Sequence, residues 1–589
     1  MDAQQYSKDG FYAKDSFAAH PLIPTMSVVP SDSALPHRAK EEVARKEKLY
    51  YGVKDIPAWS TTILFGIQQV LVCASGVVAM PLVVANLICA KGNPLARVKL
   101  IGTLMFTTGF STFLQSTFGT RLPLLQGPSF AFLPSVVALM NLPQYQCQEV
   151  NVTSTENGTE STNTEEEWMQ KMQIVQGGLI VAALFEMLIG LTGVIGFITK
   201  FVGPLTIAPL MILLEFSVVH VIIDYSTQHW MSGVTTLLLL IVALYLHLVS
   251  VPLPMYSGKR CKIKKFPLFA VFPYLIGISI VWLLCVILTL TDVFDRDHHG
   301  AVRTDLRAQV ITEAPWFRWP YPFQWGWPNW NAGVILGMIA ATLASIIESV
   351  GDYHACARAA EVAPPPVHAV NRGILMEGFC CFIGGTLGGG LGVTTYSENI
   401  GVIGITKVAS RRTMQAAGVI FLLLGLFTKV GAVLATIPDP LVGGILTISC
   451  AMVGGVGLSS VQLVDLRLSR NTAILGFAIM LGIVIPQYFK EMPVKTGNET
   501  ADQVLNILLS INMFVGGVVG FILDNTIPGA TKRQRGLIHD GVTSSGETIE
   551  GEHDTSVYVF SPRIMNFLDK CGFNRYLPFM PNFQSRRDE

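Results

Sequence analysis

The chain has 589 residues, 41 of them basic and 41 acidic, for a formal net charge of zero at pH 7. Half of it is hydrophobic, 14% is charged and the mean hydropathy is +0.48, whereas an average soluble domain carries about 25% charged residues. That balance argues against a string of soluble domains, and a neutral chain gives no electrostatic footprint for a nucleic acid.

In chain order, residues 1–55 are polar, contain proline and end in the charged run RAKEEVARKEK. They read as a cytosolic tail without a secretory signal. Apolar segments follow near 60–84, 98–117, 127–142, 173–195, 201–222, 232–250, 267–290, 332–351, 369–390, 396–408, 413–434, 440–458, 471–487 and 504–525. That makes about fourteen, and runs of 18 or more apolar residues are what bilayer-crossing helices require. The fold class is therefore an all-α polytopic membrane protein. The third and tenth segments are short and broken by Gly, Pro or polar residues. A second polar tail, 527–589, closes the chain. The ten cysteines show no CxxC spacing, so no metal or redox motif is expected. Cys89 and Cys147 both fall on outer loops and are a candidate disulfide pair.

Two signals fix the orientation. Basic residues cluster at 257–265, around Arg358 and Arg372, and at 407–412, 467–470 and 531–535; the positive-inside rule places all of these in the cytosol. The glycosylation sequons at Asn151, Asn157 and Asn498 lie in polar loops that belong outside. An odd number of segments separates each sequon from the nearest basic loop, which agrees with both termini inside. Fourteen divides into two sevens. Seven is odd, so homologous halves would be inverted, and the two short segments then occupy matching positions. Paired interruptions of this kind point to a substrate site at mid-membrane. A broken helix frees backbone N–H and C=O groups, which in lipid must find partners.

The interruptions read LLQGPSFAFLPS (124–135) and GGGLGVTTYSENIGV (388–402). Such breaks also serve close packing alone, and acids decide between the readings. Glu398 sits in the second break. Glu348 and Asp352, in LASIIESVGDYHACAR, are four residues apart on one face of the eighth segment. A charge at the bilayer centre costs at least ~2.5–3.5 kcal/mol on insertion scales, which favours function over packing. Glu186 and Glu215 are further intramembrane acids. Gln68 and Gln69 read equally as site residues and as bonds between helices.

RLPLLQGPSFAF, IIESVGDYHACAR, PPPVHAVNRG, NIGVIGITKVASRR and FILDNTIPG together resemble the nucleobase–ascorbate transporter family in its vertebrate branch, over almost all the chain outside its tails. The resemblance implies two inverted repeats of seven helices. A core domain would comprise 56–198 and 331–436, and a gate domain 199–330 (with an outer loop) and 437–526. It also implies a homodimer embedded in the lipid of the plasma membrane. Substrate would bind between the broken segments while the core moves against the gate. By position, Glu348 and Glu398 match the carboxylates that hold the base in nucleobase members. Phe130 matches a pocket residue beside the substrate, and Ser397 a pocket position whose backbone faces it. Asp352 stands where proton-coupled bacterial members have His and sodium-coupled ascorbate members have Asp, so it looks like a sodium ligand. Gln69 replaces a common family His and cannot titrate.

The implied activity is sodium-coupled uptake of nucleobases (uracil, thymine, hypoxanthine, xanthine, guanine), with sodium as the co-transported ion. The alternative is a sodium-dependent ascorbate symporter. Ascorbate-type members look like Ser-Ser-Ser-Pro-Asn-Ile-Gly where this chain has Thr-Tyr-Ser-Glu-Asn-Ile-Gly, the nucleobase form. An enzyme is not expected, since no HExxH or comparable set is found, and a channel for anions would favour basic rather than acidic breaks.

Overall fold

The computed structural model describes residues 49–90, 93–140, 142, 145–147, 163–198, 201–257, 260–295, 299–537, 555–560 and 578–580. Sequons Asn151 and Asn157 lie outside the described residues. Every apolar segment read from the sequence has a helical counterpart. The first is two helices, Trp59–Val72 and Ala74–Leu87, meeting at Cys73. The second, Pro94–Thr117, starts where the Asn93 side chain accepts from the Ala96 amide at 3.0 Å and proline takes the first turn. The third is a strand, β1 (Gln126–Pro128), then a tight turn Phe130–Phe132 and a short helix Leu133–Met140. The fourth to seventh are Asn163–Thr192, Pro204–Ser226, Met231–Leu240 (extended by a π turn, Ile241–Tyr245) and Pro273–Leu290. Between the sixth and seventh, the basic run expected as a plain loop forms a hairpin of β2 (Val251–Ser257) and β3 (Arg260–Phe266).

The eighth and ninth segments are Ala332–Ala359 and Val367–Thr386. The tenth is β4 (Val393–Thr395) followed by Ser397–Thr406. The eleventh is Arg411–Leu426 with Thr428–Ala435, the twelfth Asp439–Ser460 and the thirteenth Ser469–Glu491. The fourteenth departs from a straight span: Glu499–Ser510 meets Asn512–Thr526 at 77°. Asn498, exposed, caps the first of these two helices by accepting from the Thr500 and Ala501 amides. Among the described residues seven helices are individually long and apolar enough to cross a bilayer. The chain is an all-α multi-pass membrane protein.

The helices pack in two groups. The second lies on the eleventh, the fourth on the eighth and ninth, and the first on the eleventh; the fifth lies on the twelfth and fourteenth, the sixth on the twelfth, and the thirteenth on the fourteenth. Glycine sets the closest approach. A Cβ on Gly109 would stand 2.5 Å from the Gly418 carbonyl, and one on Gly425 2.8 Å from that of Gly102, as small residues allow between membrane helices. The stretch 316–329 lies along the fourth, ninth and eleventh segments. There the Trp325 indole donates to the Gly388 carbonyl (2.9 Å), the Asn329 amide to Gln173 (3.1 Å) and the Arg318 amide to Leu426 (3.0 Å).

The ends of the bundle are tied differently. At one, Cys89 and Cys147 form a disulfide, and Asp439 pairs with both Arg97 and Arg307. At the other, Arg372 donates to the carbonyls of Gly119 and Tyr558, and Arg411 to those of Arg121 and Val557.

Candidate functional site

The two interrupted segments meet. Strands β1 and β4 pair antiparallel, with Gln126 opposite Thr395, Gly127 opposite Thr394 and Pro128 opposite Val393. Each strand is followed at once by a short helix, so the two helices leave from opposite ends of the pair and turn their N-termini to it. The β-branched run Val393–Thr395 favours the extended form. Ahead of it, Gly388 and Gly390 take φ of +72° and +80°, which β-branched residues would resist. The Ser397–Thr406 helix has no side-chain cap at Tyr396, which leaves first-turn N–H donors and the positive end of the dipole for a ligand.

Tyr396 is the keystone of the crossing. Its ring fills a notch between the first segment and β1, and its hydroxyl donates to the Pro128 carbonyl at 3.1 Å. The notch exists because Gly76 and Gly127 lack side chains: a Cβ would lie 2.2 Å from the Tyr396 hydroxyl in the first case and 2.4 Å from its Cζ in the second. Asn399, fully buried, ties three segments. It accepts from the Leu125 amide (3.1 Å) and donates to Gln69 of the first segment (3.1 Å). Of the two readings of Gln69, the structure supports the bond between helices.

The predicted residues come together at this crossing. Glu348 and Glu398 are half-buried and Asp352 is 6% exposed. The eighth segment packs on the tenth-segment helix, and the three carboxyls lie within electrostatic range of one another. Ser397 donates to both oxygens of Asp352, at 2.9 and 3.0 Å, so its hydroxyl is engaged away from any substrate. Phe130 opens the turn after β1, buried, beside the eighth segment. Among the described residues no group of three or more His, Cys, Asp or Glu side chains is arranged to hold a metal. A cation at Asp352 would have to complete its shell with hydroxyl and carbonyl oxygens, which are hard ligands of the kind that sodium takes.

A second layer, behind the strands, escaped the sequence reading. Glu377 of the ninth segment, 1% exposed, accepts from Ser349 (2.6 Å) and Tyr353 (2.9 Å), and Gln115 donates to the Tyr353 hydroxyl (2.7 Å). Ser349 also touches the Thr394 hydroxyl of β4 (3.0 Å), and Gln126 of β1 donates to that of Thr395 (2.9 Å). Glu348 and Asp352 thus face the site from one side of their helix, while Ser349 and Tyr353 bind the supporting acid from the next. Glu186 is buried near Glu377 and Cys381. The signal for Glu377 was present, as an acid in the apolar run GILMEGFCC.

The Permease family model Xan_ur_permease matches residues 60–491. Human solute carrier family 23 member 2 is 42% identical, over 92% of this chain and 83% of its own length. Rat solute carrier family 23 member 1 is 41% identical, over 92% and 90%. Nucleobase-ascorbate transporter 8 of Arabidopsis thaliana is 33% identical, over 84% and 90%. Among solved structures, the murine Slc26a9 anion transporter aligns with a TM-score of 0.41 at 12% identity, over 77% of this chain and 70% of its own. The acid-lined crossing of two broken segments is thus found in a chain alike over most of its length to known solute carriers: it is a transporter, not an enzyme, and it belongs to the nucleobase–ascorbate transporter family, in the vertebrate branch.

Proposed function

We propose that this transporter is a sodium-coupled nucleobase importer of the plasma membrane, working as a homodimer with both tails in the cytosol. The observation that carries the reading is Glu398, a half-buried carboxylate in the first turn of the tenth-segment helix, beside Glu348. A nucleobase is neutral and presents N–H donors next to carbonyls. Ionised carboxylates are acceptor-only and take N–H groups in charge-assisted bonds, while the uncapped helix start serves a carbonyl. Ascorbate is an anion. A carboxylate ~4 Å away would repel it by about 4 kcal/mol at an effective dielectric of 20, roughly a thousandfold in affinity. Sodium at Asp352, bridged to the tenth segment by Ser397, would offset the buried charge and steady the crossing. Base and sodium would then raise one another's affinity. The segments that pack in two groups act as core and gate. The end carrying the disulfide and Asp439 faces outward, where Asn498 carries a glycan.

The test is uptake of labelled uracil, hypoxanthine and ascorbate by expressing cells, with sodium or choline outside. Sodium-dependent uptake of bases in preference to ascorbate is expected. Glu398→Gln should remove nearly all base uptake at normal surface abundance. Ascorbate uptake exceeding base uptake, or base uptake untouched in Glu398→Gln, would overturn the substrate reading; equal uptake in both media would overturn the sodium coupling.

A further inference from the structure

The acids of the crossing are answered from the other packing group. Glu215 lies on the fifth segment, with neither carboxylate oxygen reaching solvent or a hydrogen-bond partner. Tyr274 of the seventh segment is 6% exposed and Ser449 of the twelfth 2%, and both hydroxyls lack a partner as well. The three groups are neighbours. Glu215 lies beside Cys450, Tyr274 beside Ser449, and Glu215 packs against Gly454, where a Cβ would touch its Cγ at an ordinary 3.7 Å. They also face the site: Glu215 is within electrostatic range of Glu348 and Glu398, and Tyr274 of Glu398.

A packing role explains this poorly. Polar side chains that hold membrane helices together do so by bonding to one another. Here three helices each bring a buried polar group, and among the described residues the neighbours within reach are only Cys450 for Glu215 and Ser449 for Tyr274, with no well-formed hydrogen bond at any of the three; this is unfavourable for each unless something else supplies the partner. The acid, moreover, lies within electrostatic range of two other acids, an arrangement that favours a donor-rich, uncharged occupant among them.

We propose that Glu215, flanked by Tyr274 and Ser449, is the far wall of the substrate site and selects bases that carry a third N–H donor. This rests on the nucleobase reading. Uracil has two ring N–H groups, which Glu348 and Glu398 engage. An oxopurine such as xanthine has a third, on its five-membered ring, and that group reaches Glu215. The chain accordingly prefers xanthine, with its three ring N–H groups, to uracil, and the preference resides in Glu215.

The experiment measures competition of labelled hypoxanthine uptake by xanthine and by uracil, in wild type, Glu215→Gln and Glu215→Asp, each normalised to surface abundance. The Gln variant keeps the shape and loses the charge; the Asp variant keeps the charge and shortens the reach, and decides the matter if the Gln variant is not delivered to the surface. Charge-assisted bonds are worth on the order of 10- to 100-fold in affinity. Xanthine should lose about that much in the variants while uracil stays within about two-fold. Loss of both bases together, or of neither, would overturn the assignment of Glu215 while leaving the transporter reading intact. A wild type that takes up no base would instead overturn the reading beneath it.

Discussion

The Asp439 cluster offers the most direct perturbation. Asp439 is 1% exposed and is gripped from two sides. Arg97, also 1% exposed, donates at 3.0 and 3.4 Å, and Arg307, between the seventh and eighth segments, at 3.1 and 2.9 Å. Arg97 also reaches Asn86 (2.6 Å), which bonds the Tyr225 hydroxyl of the fifth segment (2.5 Å). The cluster therefore joins the first and second segments, in one packing group, to the fifth and twelfth, in the other. Asp439→Asn keeps the shape but leaves two guanidiniums facing an uncharged amide. Removing one partner of a buried ion pair costs about 3–5 kcal/mol. If the groups part at this end during transport, the cost falls on the closed arrangement alone and shifts its population by roughly 150- to 4,000-fold. Native Cys73 reports the shift. It is 1% exposed, at the break of the first segment, within electrostatic range of Glu398. A membrane-impermeant thiol reagent added outside should modify Asp439→Asn much faster than wild type, and Cys73→Ser should abolish the gain. Labelling as slow as wild type would refute the latch. A gain that survives Cys73→Ser would show general unfolding instead.

Other consequences are simpler. Gly127→Ala places a methyl 2.4 Å from the Tyr396 ring, so it should lower both the melting temperature in detergent and uptake, whereas Gly233→Ala, with nothing within 4 Å, should change neither. Cys89→Ser opens a disulfide that spans 58 residues; by loop entropy this removes about 4 kcal/mol, to be read as a lower melting temperature that reductant no longer affects. Glu377→Gln turns an amide N–H toward a hydroxyl that had donated to a carboxylate, a loss of about 1.5–3 kcal/mol, and should depress melting and uptake together without changing the preference among bases.

How much of this was legible in the sequence differs by residue. The positions of the apolar segments and the pairing of breaks were legible, because long apolar runs and the loss of helix at Gly and Pro are local properties. Glu348, Asp352 and Glu398 stood out because a charge in an apolar run is conspicuous by itself. The bend at Ser510–Asn512 was not legible, since both halves are helical and apolar enough to read as one span, and the hairpin at 251–266 was masked by its basic composition. Ser397 stands at the crossing, and its bond to Asp352 depends on the rotation of the eighth segment, which composition does not set.

The harder omissions share one cause. Tyr396, Gly76 and Gly127 have no chemistry that marks them separately, yet the ring of one occupies the space denied to side chains at the other two. The Asn399–Gln69 bond likewise spans 330 residues. What fixes the crossing is this set of long-range complementary shapes, and it constrains the chemistry as well. With Tyr396 wedged against β1 and Asn399 pinned from both sides, the two residues between them, Ser397 and Glu398, have little freedom to turn away. Glu398 is thereby kept within electrostatic range of Glu348. A proline at that position would face the same space without a carboxylate, so a single substitution there can change the charge of the site while leaving its scaffold standing.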